Sequence, residues 1–203
     1  MRTKLYGCWL VLLLVLWGTA GCVFSPTKAP APPPVSPYLA QDSPANCLQN
    51  LMTAYVNRDL AAYSLLFTSD FTFVFTPADV LNPTNPTPAQ WGLADEKTSA
   101  DHMFHSELVD KIELTFQQDT AVDSGSDYAG TWKVHLSNVN LLVYTRQDGT
   151  PWIYRVAGGT ATFYFKEFPN ETASNGKPLW RIWRWEDQPI AFGPQATSRR
   201  AAV

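Results

Sequence analysis

Around Asp148-Gly149 two runs of alternating residues match each other, and that match restricts the fold more than any other feature of the chain. Asp-Gly between Gln147 and Thr150 is a strong signal for a two-residue hairpin turn. With Gln147 set opposite Thr150, counting outward puts Val143 opposite Tyr154 and Leu141 opposite Val156. Further out, Leu136 meets Ala161, Val134 meets Phe163 and Trp132 meets Phe165. Trp152 shares its parity with Tyr154 and Val156. The apolar parity shifts after Ser137-Asn138 on one strand and at Gly158-Gly159 on the other, and the two shifts face each other. Either both strands bulge there and bend the sheet, or the sheet is buried on opposite faces along its length. Both require a long, two-part antiparallel hairpin.

The flanking stretches supply the other elements. Ser43-Pro44 reads as a helix cap followed by a first-turn proline, and Leu48, Leu51, Met52 and Tyr55 form one amphipathic stripe. Asp59 can cap a second short helix over LAAYSLLF. Phe71 to Phe75 alternate as a strand, and PADVLNPTNPTP reads as a loop. Thr87-Pro88-Ala89-Gln90 fits a capping box that opens a helix running to about His105. In LVDKIELTF, Leu108, Ile112, Leu114 and Phe116 fall on one face of a strand. In the last strand, LWRIWRWED, Trp180 and Ile182 share one face, with Leu179, Trp183 and Trp185 on the other.

The beginning of the chain reads as an address. Arg2 and Lys4 precede an apolar run of about a dozen residues that ends in small residues, the layout of a secretory signal. A spanning helix needs roughly 20 apolar residues, and this run is shorter. Thr19-Ala20-Gly21-Cys22 resembles the lipobox of bacterial lipoproteins, with Thr19 where leucine is usual. That resemblance implies removal of residues 1–21 and lipid attachment at Cys22, an anchor stable enough to hold the chain on a membrane. Valine after Cys22 favours the outer membrane by the usual sorting of such lipoproteins, in an organism that has one. Seven prolines between Val23 and Pro44 make residues 22–43 an extended tether of up to roughly 60 Å. A domain over residues 44–190 and a flexible tail over 191–203 follow.

The formal charge is −3 for the whole chain and −5 once Arg2 and Lys4 leave with the signal. With no basic cluster beyond Arg199-Arg200, nucleic acid is not an expected partner. Cys8 leaves with the signal and Cys22 carries lipid, so Cys47 is a lone thiol and no disulfide framework exists.

Helix, helix, strand, helix and then four long strands resemble the cone-shaped α+β fold of the nuclear transport factor 2-like (NTF2-like, SnoaL-like) superfamily. The resemblance is carried by NLMTAYVNRDLAAYSLLFTSDFTF and LWRIWRWED, with WGLADEKTSADHMF as the helix that closes a pocket. It implies a strongly curved antiparallel sheet with the N-terminal helices packed on its concave face. The superfamily includes isomerases, cyclases, dehydratases and members without catalysis, so the fold does not decide the function.

Several residues are candidates to line the implied pocket. Tyr55, Tyr63, Trp91, Trp132, Tyr154 and Trp183 offer rings with polar tips, suited to a small apolar ligand. His102 and His105 sit three apart on a helix, where a metal or an acid–base pair would want them; without a third ligand or an HExxH pattern no metal site is assigned. Asp187 ends the last strand, where burial could make it a general base. No catalytic constellation and no cofactor motif is present. The expected function is a membrane-anchored envelope lipoprotein whose domain is a non-catalytic module that binds a small ligand or a protein. The alternatives are an enzyme of the SnoaL or ketosteroid-isomerase type with a carboxylate or histidine base, and a structural module that forms a homodimer through its sheet.

Overall fold

A computed structural model describes residues 35–84, 87–118 and 127–188. The expected signal peptide, Cys22, most of the tether and the tail over 191–203 lie outside the described residues. The chain divides into Met1–Val35 and Ser36–Val203, and all the described helices and strands lie in the second unit.

Helices α1 (Pro44–Asn57) and α2 (Leu60–Leu65) lead into strand β1 (Phe67–Val74). A single turn α3 (Pro77–Val80), a short strand β2 (Gln90–Gly92) and helix α4 (Leu93–His105) follow. Strands β3 (Val109–Gln118), β4 (Trp132–Gln147), β5 (Thr150–Thr172) and β6 (Pro178–Gln188) complete the domain. The six strands form one sheet in the order β2-β1-β6-β5-β4-β3. It is a mixed sheet, because β1 runs parallel to β6 while every other pair is antiparallel. The α+β class expected from sequence is therefore observed, with that one departure from an all-antiparallel sheet.

The hairpin is the skeleton of the fold, and its register is the one counted from Asp148-Gly149: Val143 faces Tyr154, Val134 faces Phe163 and Trp132 faces Phe165. Asp148 and Gly149 have φ of 50° and 75°, as a type I′ turn requires. The two parity shifts are opposed bulges. Register breaks between Leu136 and Leu141, where Asn138 takes φ 49° and Gly158 φ 69°. Each extra residue flips the parity, so Val139, Leu141 and Val143 stay on the same core face as Val134 and Leu136. The bulge explanation holds, and the bend it makes curves the sheet around the helices.

The same device acts on two other strands. On β6 a register shift around Trp183 turns Trp185 inward, where its ring lies 4.6 Å from Phe163 and 5.1 Å from Phe73. Trp185 thus joins Trp180 and Ile182 in the core instead of sharing a face with Trp183. On β3 a shift between Val109 and Lys111 buries Val109 and leaves Leu108 exposed, against the expectation for Leu108.

Local sequence explains the helix starts. The Ser43 hydroxyl accepts from Asn46 N at 3.2 Å and Asp59 from Ala62 N at 2.9 Å. The α1 stripe of Leu48, Leu51 and Tyr55 is buried against the sheet. Helix α4 starts later than the Thr87 box predicts. Ala89 O accepts from Phe75 N at 3.1 Å and residues 90–92 pair with β1, so tertiary strand pairing claims the segment. The helix is entered instead at Gly92, whose N–H donates to Asp95 at 3.3 Å.

Residues 38–43, expected to belong to an extended tether, are held on the domain by hydrogen bonds. Leu39 exchanges two hydrogen bonds with the buried Asn50 amide, at 2.8 and 2.9 Å, and Gln41 exchanges two with the Trp180 backbone, at 2.6 and 2.9 Å. Tyr38 donates to Asp59 at 2.8 Å. Residues 38–43 are thus a strap on the domain.

Candidate functional site

The space between α1, α2, α4 and the sheet is where a pocket would lie, and aromatic rings fill it. Tyr55 meets Tyr63 and Phe104 edge-to-face, with ring centres 5.4 and 5.3 Å apart, and Tyr63 also meets Phe67 at 4.8 Å. Phe71, Phe73, Phe75 and Trp91 continue the chain of contacts along β1 and β2. Such geometry sets positive ring edges against negative faces and adds roughly 0.5–1.5 kcal/mol per pair to the burial of the rings.

One carboxylate sits inside this aromatic packing. Glu96 is 5% exposed, and its two oxygens face two donors. The Tyr63 hydroxyl donates to Oε1, and the Trp91 indole N–H donates to Oε2 at 2.8 Å. Tyr63 is fully buried; desolvation, with the Glu96 charge and Tyr55 adding to it, raises its pKa well above the ordinary tyrosine value. Glu96 was not among the candidates read from the chain, although Glu96, Ala100 and Phe104 recur every four residues and form the buried face of α4. A glutamate in phase with an apolar stripe was the signal available.

Of the nine pocket candidates, the structure brings together Tyr55, Tyr63 and Trp91. Trp132 lies in another part of the core, edge-to-face with Trp180 at 5.5 Å. The remaining five stand apart from this interior cluster. His102 and His105 are exposed on the outer side of α4, because the inward positions of that helix fall at 96, 100 and 104; His105 pairs with Asp101 one turn back, at 2.5 Å. Tyr154 is exposed near the hairpin tip. Trp183, displaced by its bulge, donates to Asp70 at 3.0 Å beneath the Lys166 ammonium, 4.5 Å from its ring centre. Asp187 is half-buried and accepts from the Trp185 indole at 3.0 Å. Among the described residues no three His, Cys, Asp or Glu side chains lie close enough together to hold a metal.

A second concave feature opens outside the cone, a cleft of about 630 Å³ at the start of β1. Ser64, Thr68, Asp70, Lys166, Phe168, Glu171 and Arg181 are among its walls. Its charges are paired across it: Lys166 with Asp70 at 2.8 Å, and Arg181 bidentate on Glu171 at 3.0 and 2.7 Å. Desolvation works to raise the Asp70 pKa, but Lys166 and the nearby Thr68 hydroxyl outweigh it and hold the carboxyl below its ordinary value. The Thr68 hydroxyl is buried and makes no hydrogen bond of good geometry.

No family model matches the sequence, and no curated protein does. Solved structures do. A conserved protein from Planctomyces limnophilus is 15% identical, with 70% of this chain and 89% of that one covered at a TM-score of 0.50. An NTF2-like protein from Rhodospirillum rubrum is 15% identical over 73% of this chain and 99% of its own, TM-score 0.46. An NTF2-like protein with a cystatin-like fold from Novosphingobium aromaticivorans is 14% identical over 73% and 80%, TM-score 0.44. At such identities the likeness is one of fold alone.

Proposed function

We propose that this NTF2-like domain belongs to an envelope lipoprotein, anchored through lipid on Cys22, and that it acts as a non-catalytic module which binds or positions a partner. One observation carries the second half of that reading. The carboxylate best placed to act as a base, Glu96, has one oxygen held by Tyr63 and the other by Trp91, inside a space already occupied by rings. Proton abstraction needs a basic oxygen within hydrogen-bond reach of a bound substrate. Here both oxygens hold the helix α4 to β2 and α2. His102, His105 and Asp187 stand away from that interior cluster. The Cys22 half rests on the leader and lipobox, with the Pro-rich stretch as spacer and, in a two-membrane cell, the outer membrane as the address.

The anchor is tested by growing expressing cells with labelled palmitate. Label on the parent and none on Cys22→Ser is the expected result; equal label on both removes the anchor from the proposal. The module reading is tested by incubating the protein in D2O with cyclic ketones whose α-protons exchange slowly. No enzyme-dependent deuterium uptake is expected. Uptake that Glu96→Gln abolishes would instead establish the isomerase-type alternative, for which the Tyr63–Glu96 contact is the supporting observation.

A further inference from the structure

The cleft at the start of β1 has its cause in a strand register. Phe67 pairs with Ile182 and Thr72 with Arg184, so residues 68–71 answer Trp183 alone. A bulge of that length re-aims its side chains, and here it sets Thr68 and Asp70 beside β5 and β6. Phe165 and Ile182 are in the core, so alternation puts their neighbours Lys166 and Arg181 on the outer face, directly opposite each other. Like charges so placed repel. Each is compensated separately, Lys166 by Asp70 and Arg181 by Glu171. Each cation also lies over a ring, Lys166 on Trp183 at 4.5 Å and Arg181 on Phe168 at 4.9 Å. The four charges cancel, and they are held in place before any ligand arrives.

The cleft nonetheless keeps hydrogen-bonding capacity that these pairs do not use. Thr68 is 3% exposed, and its hydroxyl makes no hydrogen bond of good geometry. A buried hydroxyl without a partner is costly, and it calls for one from outside the chain. Lys166 and the Trp183 indole both donate to Asp70 Oδ2, and neither reaches Oδ1. Beside these polar groups lies apolar surface. Leu65, 68% exposed, ends α2, Leu93 opens α4, and Phe168 completes the wall.

We infer that this cleft binds a neutral, polyhydroxylated ligand, a short saccharide. Charge argues against the other small-molecule classes. An anion would have to draw Lys166 or Arg181 away from carboxylates already bound to them, and a cation would have to draw the carboxylates away. A zwitterion would have to set both its charges against ion pairs that are already closed. A sugar hydroxyl leaves both pairs intact, because it donates and accepts at once. It gives its proton to Asp70 Oδ1 and accepts from Thr68 or from a remaining N–H of Lys166. The C–H face of the sugar ring packs on Leu65, Leu93 and Phe168. A volume of about 630 Å³ lies within the ~300–1,000 Å³ usual for small-ligand pockets. The cleft shares no residue with the Glu96 cluster and needs no lipid, so failure of either test above leaves this inference standing.

The test is calorimetric titration of the full-length protein with three neutral trisaccharides: maltotriose, cellotriose and triacetylchitotriose. Saturable binding of at least one is expected, and Thr68→Val and Asp70→Asn should each weaken it about tenfold. Thr68→Val keeps the shape of the side chain and removes only the unpaired hydroxyl, so its urea midpoint should hold or rise. Absence of saturable binding by all three sugars overturns the inference. So does binding that survives both substitutions, which would place the sugar elsewhere on the domain. Tighter binding of inorganic phosphate or glycine than of any of the sugars overturns the choice of a neutral ligand. A lowered midpoint for Thr68→Val would show that the hydroxyl is already bonded within the domain, and that also sinks the argument.

Discussion

Replacing Glu96 by alanine probes the centre of the cone, and its cost can be worked from the contacts. The substitution leaves the fully buried Tyr63 hydroxyl and the half-buried Trp91 N–H without their acceptor. A buried donor left unsatisfied costs about 1–3 kcal/mol. Tyr63 belongs near the top of that range, while the Trp91 N–H can reach water and costs about 1 kcal/mol. The one methylene removed with the carboxylate from a packed site adds about 1 kcal/mol more. The sum is about 4 kcal/mol, a large part of the ~5–15 kcal/mol that holds an ordinary domain together. For a domain of this size it corresponds to a fall of roughly 8–16 °C in melting temperature. The assay is urea unfolding followed by tryptophan fluorescence. Glu96→Gln, which keeps the volume and one acceptor, is expected to lose about half as much. Tyr63→Phe combined with Glu96→Ala should cost clearly less than the two added separately, since each single change already breaks their shared contact. A Glu96→Ala protein within about 0.5 kcal/mol of the parent would refute the reasoning, because it would mean that neither donor depends on this carboxylate.

Tyr63 also sets an alkaline limit. Its folded-state pKa is raised, by burial first and the Glu96 charge second, above the ordinary value of 10.0. The stabilisation is therefore fully present below pH 10 and is lost as pH rises past 10 towards the folded value, where only the unfolded chain ionises. Unfolding free energy measured from pH 8 to 11 should fall more steeply for the parent than for Tyr63→Phe; parallel curves would show that Tyr63 titrates alike in both states. Arg58 ends α1 with φ 55°, and its guanidinium donates to the carbonyls of Phe104, Val109 and Ser106 at 2.5, 2.6 and 3.0 Å. One ammonium cannot span three carbonyls, so Arg58→Lys should lose about 1.5–3 kcal/mol in the same urea assay; an unchanged midpoint would show that the fork contributes nothing.

The hairpin was legible because strand parity and turn chemistry are local, and a type I′ turn leaves one register once its two ends are named. The caps at Ser43 and Asp59 were legible for the same reason. Bulges were legible only where two of them faced each other. Those beside Trp183 and at the start of β3 stand alone, and a one-residue slip moves every later side chain to the other face, which misplaced Trp185 and Leu108. Sequence composition marked the rings as pocket or core without choosing. Close packing of Tyr55, Tyr63, Phe67 and Phe104 chose core, because edge-to-face geometry is a property of elements brought together from distant parts of the chain. Residues 90–92 make the same point. Their helix signal is local and real, yet β1 offered a strand partner and the sheet won. By itself, then, the chain determined its turns, its caps, its hairpin register and its class. The tertiary structure decided which face each bulged strand presents, and that a glutamate two turns before Phe104 would lie among rings with its two oxygens taken, because those outcomes depend on pair distances that no single stretch of sequence contains.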